Sequence, residues 1–70
     1  MIPLALADVG EELIIQRIGG KEEVKKHLAN LGFVAGGNVK VVTSMAGNII
    51  VEVKGSRVAV SKEMAQKIMV

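Results

Sequence analysis

Residues 39–60 read VKVVTSMAGNIIVEVKGSRVAV, and this stretch decides the fold. Val39 and Val41 alternate with Lys40, while Ile49, Val51 and Val53 alternate with Ile50, Glu52 and Lys54. A period of two belongs to strands with one face buried. A third run, Val58-Ala59-Val60, follows Gly55-Ser56. Across an antiparallel pair, inward residues must meet inward residues, because a slip of one residue turns a whole face over. That parity predicts a three-residue Met45-Ala46-Gly47 loop, with Val41 facing Val51, Val39 facing Val53 and Lys40 facing Glu52. It then predicts a two-residue Gly55-Ser56 turn that pairs Val53 with Val58 and Val51 with Val60 and sets Lys54 opposite Arg57. Val42 and Ile50 break the alternation; in this register they face each other on the side away from the core.

Working outward, residues 12–18 read as a first strand, since Leu13-Ile14-Ile15 is short and β-branched, and Gly19-Gly20 ends it. Residues 21–31 are the one convincing helix. Val24, Leu28 and Leu31 form a single apolar stripe. Glu22 and Glu23 in the first turn and Lys25, Lys26 and His27 further along suit the helix dipole. Gly32 is expected in the left-handed conformation just past the helix end, which lets Phe33 fold back onto Leu28. Ser61 is placed to cap a short helical turn through Ala65, and Ile68-Met69-Val70 forms a last brief strand. An opening turn precedes everything, with Leu4, Leu6 and Val9 as its buried side. The expected fold is mainly β: a small, partly closed antiparallel barrel of about five strands. One α-helix lies between the first and second strands, and closure hides the sheet edges.

Seventy residues make one domain, residues 1–70, and half of them are apolar. Phe33 is the only aromatic, and there is no cysteine. A multidomain enzyme and a disulfide scaffold are excluded. Nine basic and seven acidic residues leave a net charge of +2, with the signs interspersed. A nucleic-acid binder shows a basic stripe interleaved with aromatics, so no nucleic-acid partner is expected. Nothing approaches the roughly 20 apolar residues of a membrane span, so no direct membrane insertion is expected either. The apolar opening stops at Asp8, too short for a signal peptide, and the expectation is an intracellular protein.

No catalytic residues are assigned. A nucleophile needs a base and an orienter, and His27 is the only histidine. Thr43, Ser44, Ser56 and Ser61 fall at strand ends or turns, where hydroxyls cap backbone groups. The glycine-rich residues 32–37 lack the Lys-Ser/Thr ending of a phosphate loop, and a strand follows them. No cofactor is expected. Glu23 and His27, four apart on one helix face, are the weak metal candidates, with Asp8, Glu11 and Glu12 as further oxygen donors. A closed site wants three or four ligands, so weak binding of a divalent ion is as far as these residues go. The partner-binding candidates are Val42 and Ile50, as an apolar patch unless the helix covers them, and Lys54 and Arg57, as a basic pair open to an acidic partner.

Leu31-Gly32-Phe33-Val34-Ala35-Gly36, followed by Val39-Lys40-Val41-Val42, resembles the FeoA family of ferrous iron transport protein A. So do Val9-Gly10-Glu11, Ile15-Gln16-Arg17-Ile18-Gly19-Gly20, Val58-Ala59-Val60, Ala65 and Ile68-Met69-Val70, in the family's order and spacing. The family pattern usually has Pro-Gly where this chain has Ala35-Gly36, which relaxes the approach to the second strand and keeps the glycine turn. The resemblance implies an SH3-like barrel and a small cytoplasmic accessory protein of ferrous iron uptake. It implies a partner, the membrane permease FeoB with its cytoplasmic GTPase domain, whose transport or GTPase activity the protein would modulate at the inner face of the membrane. A direct metal-binding module or metal chaperone is the alternative. The resemblance transfers no catalytic or ligand residue. SH3 peptide grooves are lined with aromatics, so a proline-rich ligand is not expected of this chain.

Overall fold

The computed structural model describes residues 1–70. Its centre is the predicted double hairpin: β3 (Asn38–Met45), β4 (Asn48–Val53) and β5 (Ser56–Ser61). Ahead of it lie a 3-10 turn at Leu4–Leu6, β1 (Glu12–Ile14), β2 (Arg17–Ile18) and helix α1 (Glu22–Asn30). Helix α2 (Lys62–Ala65) and β6 (Ile68–Met69) follow. Strands β1-β3-β4-β5 form one antiparallel sheet and β2-β6 a second. The fold is mainly β and SH3-like, as expected, but it has six strands instead of five, and the barrel stays open.

The first strand accounts for the sixth. Residues 12–18 do not run as one strand, because Ile15 leaves β3 to enter the core. Its N–H donates to the Gly37 carbonyl at 2.9 Å, and its own carbonyl accepts from the Gly36 N–H at 2.8 Å. Gln16 N–H then donates to the Met69 carbonyl at 2.7 Å. The chain has changed sheets, and β2 pairs with β6 in the register Arg17–Met69 and Ile18–Ile68.

Between β3 and β4 the expected pairs Val41–Val51, Val39–Val53 and Lys40–Glu52 are all present. The odd residue, however, is taken up inside the strand. A bulge at Val42 is followed by Thr43–Ile50, Ser44–Ile49 and Met45–Asn48, leaving a two-residue Ala46-Gly47 turn instead of the three-residue loop. Val42 therefore does not face Ile50; Thr43 does.

The second turn is also displaced. Its residues are Lys54-Gly55, not Gly55-Ser56, so Val51 pairs with Val58 and Ile49 with Val60. Both turn residues have positive φ, 50° and 77°, the type I′ signature whose twist matches that of the flanking strands. The gain is electrostatic as well. Arg57 lies opposite Glu52, where the predicted register had placed it against Lys54.

The core is a cluster of twelve buried residues, all apolar, drawn from both sheets, both helices, the 3-10 turn and the chain around Ile15 and Phe33. Burying a valine, leucine or phenylalanine side chain contributes about 1.5–3 kcal/mol. Helix α1 presents Leu28 to this core, with Val24 and Leu31 half-buried beside it. It ends as predicted. Phe33 N–H donates to the Leu28 carbonyl at 2.9 Å and Gly32 N–H to the Ala29 carbonyl at 3.0 Å. Gly32 has a φ of 108°, which completes a Schellman ending and drives Phe33 into the core. Helix α2 is capped by Ser61, whose Oγ accepts from the Met64 N–H at 3.2 Å. The opening turn departs from expectation: Leu4 is fully buried, but Leu6 and Val9 are 71% and 59% exposed. A single 3-10 turn turns only one side inward, and Leu4 occupies it. Reciprocal hydrogen bonds between Ile2 and Val70, at 2.9 and 2.8 Å, clasp the two ends of the chain together.

Candidate functional site

The outer face of the large sheet carries its polar residues in register. Reading across the strands, Glu12 lies opposite Lys40, Lys40 opposite Glu52, and Glu52 opposite Arg57. The result is a row of four charges of alternating sign, one per strand, all exposed. Opposite charges placed directly across exposed strands are worth from nothing to about 1 kcal/mol per pair in general. A depression of about 270 Å³ lies over Glu12, Lys40 and Glu52 of this row, edged by Asn38 and by Lys54 and Gly55 of the β4–β5 turn. The chain's alternation revealed Lys40–Glu52; the extension to Arg57 required the Lys54-Gly55 turn, which parity could not distinguish from the turn one residue along, since that moves each cross-strand partner by two and keeps the same face inward.

The other expected site residues are dispersed. Val42 and Ile50 are both half-buried, Val42 at the bulge and Ile50 between Thr43 and Ala59. Lys54 is held in the left-handed position of the β4–β5 turn, and Arg57 pairs with Glu52 instead of opposing Lys54. Glu23 and His27 are exposed on α1. No three of the His, Asp and Glu side chains come together in a group able to hold a metal ion. Among the hydroxyls, Ser61 is engaged as the α2 cap and Thr43 and Ser44 sit in β3 opposite Ile50 and Ile49. No polar or charged residue is buried, so every titratable group meets solvent. The lone aromatic, Phe33, is fully buried, and no aromatic remains on the surface to line a groove for a proline-rich peptide. No helix is long and apolar enough to cross a membrane.

An open SH3-like sheet pair with a charged outer face and an all-apolar core defines a small β module. Its place among such modules follows from comparison with known proteins. The FeoA domain family matches residues 2–70. The chain is 37% identical, over 70 residues, to the protein of Methanocaldococcus jannaschii described as "Putative Fe(2+) transport protein A", covering all of this chain and 85% of that one. It is also similar to a crystal structure described as iron uptake regulatory protein (FeoA). There the TM-score is 0.90 at 31% identity, over 97% of this chain and 90% of that one. A solution structure of iron(II) transport protein A from Clostridium thermocellum shares the fold, with a TM-score of 0.89 at 23% identity, over 97% of this chain and 43% of that one. The chain belongs to the FeoA domain family, and so to the proteins associated with ferrous iron transport.

Proposed function

We propose that this protein is a cytoplasmic accessory subunit of ferrous iron uptake that docks on a FeoB-like membrane permease and modulates its transport or GTPase activity. Family membership across residues 2–70 carries this reading. The layout of the surface supports it: the charges form a patterned row on a sheet face, and no cluster of three metal-ligating side chains forms. A row of alternating charges on an exposed face suits recognition of a partner by contact. Val42, Ile50, Lys54 and Arg57 remain the candidate contact residues, and Arg57, at the outer end of the charge row, is the foremost of them.

The test is a pull-down with the cytoplasmic part of the cognate permease, joined to iron uptake by a strain lacking this protein. Binding together with reduced uptake is expected. Absence of binding with unaltered uptake would remove the reading. The second reading, a metal-binding module or chaperone using Glu23 and His27, rests on their shared exposed helix face. Titration with Fe(II), followed on the His27 ring signals, decides it: an unmoved ring at millimolar metal eliminates the direct role.

A further inference from the structure

The barrel's failure to close leaves β5 as a free sheet edge. Two-residue hairpins fix which ladder pairs are hydrogen-bonded, since the residues flanking the turn exchange both bonds and the pattern then alternates. From Lys54-Gly55, the bonded pairs are Val53–Ser56, Val51–Val58 and Ile49–Val60. The N–H and C=O groups of Arg57 and Ala59 therefore point away from β4. Both residues are exposed, and no backbone hydrogen bond from the turns and loops reaches either one.

Natural sheets protect such edges with proline, bulges, inward-pointing charges or covering loops. β5 has none of these. It is six residues long, Ser56–Ser61, it is paired with β4 without a register shift, and its inward residues are Val58 and Val60. Its one charge, Arg57, is the last of the row Glu12–Lys40–Glu52–Arg57. The sign alternates at every strand, so a fifth strand laid along β5 meets a cation at that position.

We propose that the free edge of β5 is a strand-addition site for an extended acidic segment of a partner protein. The backbone of that segment pairs with Arg57 and Ala59, a carboxylate lies opposite Arg57, and an apolar residue beside it covers half-buried Val58. This deepens the docking function proposed above by giving it a surface and a mode.

A second copy of the chain fits this edge less well. Symmetric β5–β5 pairings that keep inward residues together set Arg57 against Ser61, Ala59 or the other Arg57, and none supplies an acid. The free edge of β1 does carry Glu12, but it is only three residues long and offers a single inward residue, Leu13.

The test uses the whole protein and two capped hexapeptides of alternating valine and threonine, one with a central glutamate and one with lysine in its place. Amide chemical shifts are followed during titration. The glutamate peptide should move the Arg57 and Ala59 amides most and bind roughly five- to tenfold tighter than the lysine peptide at low salt, a difference that shrinks as salt is added. Arg57→Glu should reverse the preference, and Ala59→Pro, which deletes an edge donor, should abolish binding of both. Equal binding of the two peptides, shifts centred elsewhere, or no shift at millimolar peptide would overturn the proposal. So would a concentration-dependent oligomer that protects the same amides without peptide. Permease capture that survives both substitutions would overturn the edge while leaving the docking function intact; peptide binding without permease capture would do the reverse.

Discussion

Lys54 is the one residue other than glycine with positive φ, and it sits where the chain decides between two turns. An ordinary side chain in the left-handed region costs about 1–2 kcal/mol. The structure accepts that cost because the resulting turn sets Arg57 against Glu52 and brings Val58 and Val60 opposite Val51 and Ile49. Asparagine tolerates this conformation far better. Lys54→Asn should therefore raise stability by about 0.5–1 kcal/mol, seen as a higher urea midpoint with an unchanged slope. An unmoved or lower midpoint would show that the turn carries no such strain. Gly32 illustrates the opposite case. Its φ of 108° is required by the helix ending, and its position after an apolar stripe made that requirement readable in advance.

Single elements obey local rules wherever their neighbours allow. Helix α2 is only four residues long, too short to persist by propensity, and its first turn depends on Ser61. Ser61→Ala should cost about 1 kcal/mol in urea unfolding. The same position holds the end of β5, so a loss much above 2 kcal/mol would mean that the hydroxyl also secures the strand. The strands show where local rules stop. Alternation identified β3, β4 and β5 and the pairing of the first two at their inner ends. It could not locate the bulge, because an extra residue in a strand and an extra residue in a loop preserve the same parity. Nor could it choose between turns one residue apart, since the pairing then shifts by two residues and both registers keep the valines inside.

For the molecule as a whole, the small second sheet closes the core. β6 supplies buried Ile68 and pairs with β2, while Val70 clasps Ile2. Removing residues 68–70 deletes a core side chain, the whole β2–β6 ladder and the clasp together. A domain this small buries only about 60% of its unfolded surface and has little margin to lose. The truncated chain should lose cooperative unfolding and amide shift dispersion. A well-dispersed spectrum would show that the four-stranded sheet and α1 fold without the second sheet.

The sequence by itself determined the strand-rich composition, the single long helix with its Gly32 and Phe33 ending, the facing of Lys40 and Glu52, and kinship with the FeoA family. Each follows from periodicity, capping chemistry or ordered motifs over a few residues to the full chain. Only the tertiary structure decided that residues 12–18 divide between two sheets, that Leu6 and Val9 face solvent, and that four charges align to Arg57 beside an open edge. Those outcomes turn on which partner a backbone group finds when several are equally permitted by parity. That choice is made by core packing and hydrogen bonds to distant segments: Ile15 to Gly36 and Gly37, and Gln16 to Met69.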